Sequence, residues 1–276
     1  MKLIEIMLDN VSVQTRVKNG EGFDRPSVLR ITADITSCTA TLVTPYLLLT
    51  AAHCVHNVQP QQCKVPSFPS AEIVHQHLHP QYDASDHAND VAFLELNDPI
   101  LNVTPMTLVE TFEYNVGKDI SLLGWGKVND VKVADSLQQA KLQIRVCSTS
   151  DSGSTVFCAR PRSTSSTSNV CKGDSGGPAI DGNDGNGVIG VLSQAELVQG
   201  ECAVNGGLSL FCKANPSEEW IQTLLTGNRS HTQGVQNEST DETVRFVILG
   251  TALLGIATVL ATGIALFVRR GAHIHR

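Results

Sequence analysis

The sequence predicts an all-β domain followed by one membrane-spanning helix, and three observations carry that prediction. Short runs rich in Val, Ile, Leu and Thr recur between turn-forming residues, as is typical of antiparallel sheets. The eight cysteines are an even number, which favours a disulfide-bonded domain from an oxidising compartment. Residues 246–268 are 23 consecutive residues without a charge, a length that is sufficient to span a bilayer.

Composition excludes several other classes of protein. The chain has 276 residues, of which 41% are hydrophobic and 17% charged, so we expect a globular protein rather than a disordered one. The net charge of −7 argues against nucleic acid as a partner. Because the sequence contains no Cys-x-x-Cys pair, we expect no metal site at the cysteines. We also expect no cofactor.

The predicted strands are short and are followed by one helix. Asn215 as a cap, Pro216 in the first turn, the acids after it and Gly227 beyond it predict a helix over 215–225. Val, Ile, Thr and Tyr favour extended structure. The predicted strands are residues 28–31, 40–43, 46–49, 90–96, 137–146 and 187–193.

The C-terminal part of the sequence predicts a membrane anchor. Residues 227–245 are polar without apolar periodicity, which indicates a stalk, and residues 246–268 are the predicted transmembrane helix. Three arginines follow within 269–276, whereas acids precede the apolar run, so the positive-inside rule places this short basic tail in the cytoplasm. We therefore expect a single-pass membrane protein with its folded domain extracellular or lumenal; a secreted protein is the alternative.

The motif that carries the chemistry is the run CKGDSGGP at residues 171–178. Glycines around Ser175 permit a backbone path that presents the hydroxyl and aims neighbouring N–H groups at one point. A nucleophile with an oxyanion hole needs that arrangement. A tight surface turn is the alternative, because Gly, Asp, Ser and Pro all form turns.

A serine hydroxyl needs a base within hydrogen-bond reach, and that base needs an orienting carboxylate. His53 follows an apolar run, and Asp90 opens a predicted strand, so these two residues are the candidates. Residues 173–177 also match the G-x-S-x-G pattern of α/β-hydrolases. That fold requires its Asp and His after the Ser, whereas the histidines after Ser175 all lie in the C-terminal tail region.

Taken in order, TAAHC at 50–54, NDVAFL at 89–94 and GDSGGP at 173–178 resemble the active-site segments of chymotrypsin/trypsin-type serine proteases. The resemblance covers most of residues 17–226, the whole expected catalytic domain. It implies two packed six-stranded antiparallel barrels with a C-terminal helix, and hydrolysis of protein or peptide substrates through an acyl-enzyme. His53, Asp90 and Ser175 would form the triad, with the N–H groups of Gly173 and Ser175 as the oxyanion hole.

The resemblance also implies activation by proteolysis. Cleavage after Arg16 would free the amine of Val17, which in this family pairs with the Asp before the nucleophile, here Asp174. An activating protease would then be a further partner. Residues 1–16 would be a propeptide; their apolar run is too short for an ordinary secretory signal, so an atypical signal or a truncated gene model is the alternative.

By the same resemblance, Asn169 is the base of the specificity pocket, and Ser193, Ala195 and Gly207 form its walls. A neutral base residue predicts a neutral P1 preference rather than Lys or Arg. Gln194 stands where a Trp is common, which removes an aromatic face from the cleft.

The resemblance proposes three disulfides and leaves two cysteines open. The three pairs are Cys38–Cys54, Cys147–Cys158 and Cys171–Cys202. Cys63 and Cys212 would pair with each other, pair with a partner or stay free.

Several departures keep a second function in view, a protease-like binding protein at the cell surface that has lost activity. Thr39 and Ala40 stand where two glycines are common and crowd the backbone near the cleft, and the segment before Asp90 is short. A run of histidines in that segment suggests either a metal cluster or a polar surface; we expect the surface and no metal. The run comprises His75, His77, His79 and His87. The sequons at Asn102, Asn228 and Asn237 predict glycosylation.

Overall fold

A computed structural model of the chain describes residues 21–22, 24–127, 133–147, 155–162, 170–182, 185–196 and 207–227. Residues 1–222 form one compact unit and residues 223–276 a second, of which only 223–227 are described. The predicted stalk, transmembrane helix and basic tail beyond residue 227 lie outside the described residues. No helix in the described ranges is long and apolar enough to cross a membrane.

The first unit is built almost entirely of short antiparallel strands. The strands are β1 (Glu21–Gly22), β2 (Val28–Ala33), β3 (Thr36–Thr44), β4 (Leu47–Thr50), β5 (Cys63–Lys64), β6 (Ile73–Leu78), β7 (Ala92–Leu96), β8 (Thr107–Leu108), β9 (Asp119–Gly124), β10 (Gln138–Arg145), β11 (Val156–Pro161), β12 (Pro178–Asp181), β13 (Gly187–Ala195) and β14 (Ser209–Lys213). Short 3-10 turns occur at Ala52–Cys54 and Pro60–Gln62.

Six of these strands form the first barrel, in the hydrogen-bonded order β5-β2-β3-β4-β7-β6. Its end strands β5 and β6 approach each other through side chains, because Gln76 Nε2 donates to Cys63 Sγ at 3.2 Å. The interior is an apolar cluster that includes Ile31, Leu42 and Leu94, none of which is exposed. Burial of this cluster is the main favourable term for the barrel.

The second barrel is a closed ring of six strands. The order β10-β11-β14-β13-β12-β9 returns to its start because β9 also pairs with β10. The two-residue strands β1 and β8 add to β10 and β13 at its rim. Phe157 and Phe211 stack in its core with ring centroids 5.0 Å apart. The predicted fold class, two six-stranded barrels with a C-terminal helix, is confirmed.

Alternation along β3 decides which of its residues reach the second barrel. Cys38, Ala40 and Leu42 point into the core of the first barrel. Thr39 and Thr41 therefore lie on the opposite face of the strand, where they are also fully buried. The polar face of this strand is thus covered rather than solvated.

The strand that follows Asp90 differs from its prediction. The prediction began the strand at Asp90, whereas β7 begins at Ala92. Asn89 has a left-handed φ of 52°, and the N–H of Val91 donates to the carbonyl of Asn89 at 2.8 Å, so the chain turns tightly there. Asp90 therefore lies in a turn, which is free to direct its side chain away from the sheet.

The C-terminal helix also begins later than predicted. Residues 219–227 are helical, whereas the prediction was 215–225. The side chain of Asn215 accepts from the N–H of Ser217 at 2.9 Å, which forms a separate turn ahead of the helix. Gly227, predicted to lie beyond the helix, is still helical.

Candidate active site

The loop that carries Ser175 has a backbone path that depends on glycine. Gly173 has a φ of +99° and Gly176 a φ of +77°, a region that is costly for other residues. A Cβ on Gly176 would also lie 2.2 Å from Thr50 Oγ1 and 2.4 Å from the Thr39 carbonyl oxygen. Only glycine fits between the loop and the first barrel at this point.

His53 lies on the 3-10 turn Ala52–Cys54, directly after β4. The disulfide between Cys38 and Cys54, with an S–S distance of 2.02 Å, joins this turn to β3. The His53 side chain is 21% exposed, so one edge of the ring faces the cleft.

Asp90 is fully buried beneath His53 and accepts three hydrogen bonds. Its Oδ2 accepts from His53 Nδ1 at 2.6 Å and from Ser193 Oγ at 2.6 Å, and its Oδ1 accepts from the His53 N–H at 2.8 Å. Burial alone would raise the pKa of Asp90, but the bond and charge of His53, the Ser193 hydroxyl and the His53 N–H together lower it. The carboxylate is therefore ionised at neutral pH and fixes the proton of His53 on Nδ1.

Ser175 lies across the Cys38–Cys54 disulfide from the imidazole. Cys54 Sγ is 3.8 Å from His53 Nε2 and 3.9 Å from the Ser175 carbonyl oxygen, which itself accepts from the Thr39 N–H at 2.9 Å. The structure thus brings His53, Asp90 and Ser175 into one region. Within the described residues, the Ser175 hydroxyl makes no hydrogen bond to His53; such bonds often tighten only when substrate binds.

Two N–H groups of the loop are left without acceptors. The N–H groups of Asp174, Gly176 and Gly177 each donate to a backbone carbonyl. Those of Gly173 and Ser175 have no acceptor among the described residues. Gly173 and Ser175 are half-buried, so these two N–H groups are accessible to an anionic oxygen.

Asp174, the loop residue before Ser175, is fully buried. Its Oδ1 accepts from the Gly126 N–H and its Oδ2 from the Cys171 N–H, both at 2.8 Å. Burial raises the pKa of Asp174 to about 7, against the opposing effect of those two bonds. Among the described residues no cation pairs with it.

The predicted pocket residues fall in three groups. Asn169 lies outside the described residues. Ser193 lies in β13, and its hydroxyl donates to the Asp90 carboxylate. The sequence did not predict this contact because the two residues are far apart in the chain. Ala195 pairs across the ladder with Ser209, whereas Gly207 precedes β14. Ser209 is fully buried, and its hydroxyl has no partner within the described ranges.

The cysteines occupy distinct environments. The structure contains the disulfide Cys147–Cys158, and Cys171 is disulfide-bonded, although its proposed partner Cys202 lies outside the described residues. Cys63 and Cys212 are both buried and free, Cys63 in the first barrel and Cys212 in the second. Burial, with the nearby charge of Asp90, raises the pKa of Cys212 to about 12, so it is an unreactive thiol.

The predicted histidine run separates into different sites. His75 and His77 lie on β6, and His77 bonds Glu95 at 2.9 Å. His79 contacts Trp220 near the C-terminal helix. His87 lies in the loop before Asp90, with its ring centroid 5.3 Å from that of His53.

One group of ligand-type side chains occurs in the described part of the chain, namely Cys38, His53 and Cys54. Because the two cysteines form a disulfide, they lack the thiolates that would bind a metal.

Comparison with known proteins identifies the family. A family model described as Trypsin matches residues 15–221, well over half of the chain. The chain belongs to the trypsin family. The family and its relatives identify it as a serine endopeptidase, a hydrolase.

Individual relatives of the trypsin family align with most of the chain. Mouse transmembrane protease serine 11C is 29% identical over 215 residues, covering 69% of this chain and 48% of that protein. Human kallikrein-11 is 26% identical over 213 residues, covering 69% of this chain and 72% of that protein. The chymase of Papio hamadryas is 27% identical over 213 residues, covering 70% and 80% respectively. The chain thus spans about half the length of the first of these relatives.

A solved structure supports the same fold. That of neuropsin, a serine protease expressed in the limbic system of mouse brain, matches with a TM-score of 0.59 and 21% identity. The match covers 73% of this chain and 95% of neuropsin. At this identity the likeness shows the fold alone.

The raised pKa of Asp174 predicts a pH dependence of stability for the intact chain. The folded state holds a proton on Asp174 up to a pH of about 7, whereas the unfolded state releases it near the ordinary pKa of an aspartate, 3.8. The contribution of Asp174 to the free energy of unfolding is therefore complete below pH 3.8 and falls as pH rises to about 7, in total on the order of 4 kcal/mol.

Urea unfolding of the intact chain and of Asp174→Asn between pH 4 and pH 8 measures this contribution. We expect the free energy of unfolding of the intact chain to fall relative to that of Asp174→Asn as the pH rises from 4 to 8. The amide cannot titrate, so Asp174→Asn is the matched control. A difference that is constant with pH would contradict the prediction.

Proposed function

We propose that the chain hydrolyses peptide bonds with Ser175 as the nucleophile, His53 as the general base and Asp90 as the carboxylate that orients it. The observation that carries the proposal is the pair of bonds from His53 to Asp90, at 2.6 Å from Nδ1 and 2.8 Å from the N–H. These bonds leave Nε2 as the acceptor nitrogen of the ring, on the side of Cys54 and Ser175.

In the acylation step, Nε2 of His53 takes the Ser175 proton as the hydroxyl oxygen attacks the scissile carbonyl. Asp90 stabilises the imidazolium without accepting its proton, in keeping with the lowered pKa of this carboxyl. The imidazolium then donates the proton to the leaving amine. Water then attacks the acyl-enzyme, with His53 again as the base, and releases the second product.

The oxyanion of each tetrahedral intermediate would bind the N–H groups of Gly173 and Ser175. Two features support this assignment. Both groups lack an acceptor among the described residues, and the Lys172 carbonyl is turned to the Lys127 N–H at 2.8 Å. Because a peptide unit is planar and trans, the N–H of Gly173 points away from Lys127. One such donor contributes about 3 kcal/mol in the transition state.

We propose residues 17–226 as the catalytic domain, activated by cleavage between Arg16 and Val17. A freed amine at Val17 would pair with Asp174, which is buried without a cation in the described part of the chain. An ion pair there would lower the pKa of Asp174 and lock the loop before Ser175. Arg16 and Val17 lie outside the described residues.

Fluorophosphonate labelling tests the nucleophile and the activation step together. We expect labelling of the chain cut at Arg16–Val17 and none of the intact chain or of cut Ser175→Ala. Cut Asp174→Asn should label poorly, because the new amine lacks its carboxylate. Labelling of the intact chain would overturn the activation step alone. A folded chain that is never labelled would overturn the catalytic proposal and favour a protease-like binding protein.

We further propose a preference for neutral P1 residues. Asn169, the proposed pocket base, is uncharged, and so are the proposed wall residues Ser193, Ala195 and Gly207. Ser209, opposite Ala195, adds a buried hydroxyl without a partner in the described ranges, which is also neutral. A neutral pocket cannot compensate for burial of a substrate ammonium or guanidinium.

Cleavage of a peptide library by the activated chain tests the pocket. We expect neutral residues at P1, and Asn169→Asp should shift cleavage toward Lys and Arg by adding a charge at the base. Cleavage by the unaltered enzyme that is dominated by Lys or Arg at P1 would contradict the prediction.

We propose that residues 246–268 hold the enzyme in a membrane, with 227–245 as the stalk. The uncharged run and the arginines after it support this topology. One relative is named a transmembrane protease, whereas others are kallikreins and chymases.

Alkaline carbonate extraction of cells that express the full chain tests the anchor. We expect the chain to stay in the membrane pellet, and a variant that lacks residues 246–276 to appear in the medium. Enzymatic removal of N-glycans should increase the electrophoretic mobility of the chain if Asn228 or Asn237 faces the lumen. A full chain that is extracted into the supernatant would refute the anchor and leave a secreted enzyme.

A further inference from the structure

Thr39 lies where β3 of the first barrel meets the catalytic loop of the second. It is 0% exposed and lies on the face of β3 opposite the barrel core. The sequence predicted that its side chain would crowd this region. In the structure the hydroxyl instead makes hydrogen bonds across the contact between the barrels.

The Thr39 hydroxyl makes two hydrogen bonds at once. It accepts from the Trp125 N–H at 3.0 Å and donates to the Gly173 carbonyl at 2.9 Å. A hydroxyl offers one donor and two acceptor sites, so a single side chain can serve both groups. The Thr39 N–H also donates to the Ser175 carbonyl at 2.9 Å, and Thr50 Oγ1 donates to the Thr39 carbonyl at 2.8 Å.

The contacts of Thr39 complete a set that fixes four successive carbonyls of the loop. The carbonyls of Lys172 and Asp174 accept from the backbone N–H groups of Lys127 and Gly177, respectively. Those of Gly173 and Ser175 accept from the Thr39 hydroxyl and the Thr39 N–H. Of these four carbonyls, that of Gly173 accepts from a side chain, whereas the other three accept from backbone N–H groups.

The Gly173 carbonyl needs such a restraint because of the residue that carries it. Glycine has wide rotational freedom, and Gly173 sits at a φ of +99°. Rotation at Gly173 would turn its carbonyl and its N–H relative to each other. The N–H lies in the peptide unit of the Lys172 carbonyl, which the Lys127 N–H holds, and the Gly173 carbonyl lies in the next unit. A donor on the Gly173 carbonyl therefore restricts rotation between the two units and helps to keep the N–H in its direction.

We propose that Thr39 is a positioning residue whose hydroxyl holds Gly173 in the orientation that aims its N–H at the oxyanion. The inference rests on the proposed function, in which Ser175 is the nucleophile and the Gly173 N–H is an oxyanion donor. Thr39 does not touch the substrate. It acts through Gly173 and links the barrel of His53 to the donor loop of the second barrel.

Thr39→Val removes the hydroxyl at nearly constant shape. The bond strengthens transition-state binding through Gly173, so we expect kcat to fall about tenfold while KM stays within about twofold. Affinity for a peptide aldehyde, whose adduct with Ser175 carries the oxyanion, should fall by a similar factor. Thr39→Ser keeps the hydroxyl and should restore most of kcat.

Thr41→Val is the matched control. Thr41 lies on the same face of the same strand and is equally buried, but its hydroxyl has no partner in the described part of the chain. Loss of this hydroxyl should leave kcat and aldehyde affinity unchanged. Rates are expressed per active site by fluorophosphonate titration, which removes any change in the folded fraction.

The outcomes separate this inference from the proposed function. The role of Thr39 would be overturned if Thr39→Val had the same kcat and aldehyde affinity as Thr41→Val. It would also be overturned if Thr39→Ser lost as much kcat as Thr39→Val. Should Thr39→Val fail to fold, Thr39→Ala, which also lacks the hydroxyl but is smaller, gives the same comparison. An unaltered enzyme that is inactive after cleavage, or a Ser175→Ala enzyme that stays active, would refute the proposed function itself.

Discussion

A carboxylate with no exposed surface needs donors for both of its oxygens, and Asp90 finds them on both barrels. Two come from His53 in the first barrel and one from Ser193 in the second. Removal of any of them would leave part of a buried charge unsatisfied, which costs several kcal/mol. The two His53 bonds orient the imidazole, and the Ser193 bond joins the second barrel to the same carboxylate.

Hydrogen bonds from other parts of the structure reinforce this contact between the barrels. The Thr39 N–H bonds the Ser175 carbonyl, and Trp125 Nε1 bonds the Val28 carbonyl at 2.9 Å. Directional bonds of this kind fix the alignment of the two barrels more closely than apolar contact alone, because they weaken steeply with angle. Gly176 has no room for a Cβ, so the loop can approach the first barrel closely enough to form them.

The sequence predicted those features that depend on short segments. The glycines around Ser175 and the runs that became β2, β3 and β13 carry their own signals in composition and spacing. Contacts such as Ser193 on Asp90 or Ser209 opposite Ala195 depend on the register between strands distant in sequence, which no local pattern encodes. β12 was missed because Pro178 opens it and it is only four residues long. The helix began late because the Asn215 side chain bonds its own turn first.

The order of the elements along the chain has a consequence for biosynthesis. His53 and Asp90 lie in a barrel complete by Leu96, whereas Ser175 and the strands around it follow later. Even β1, at the start of the described chain, pairs with β10 at Gln138 and Gln139. Contacts over such separations form slowly, and domains emerge from the ribosome N-terminus first. A nascent chain therefore carries the proposed base and its orienting carboxylate before the proposed nucleophile, and the three residues of the proposed site come together only when the second barrel has closed.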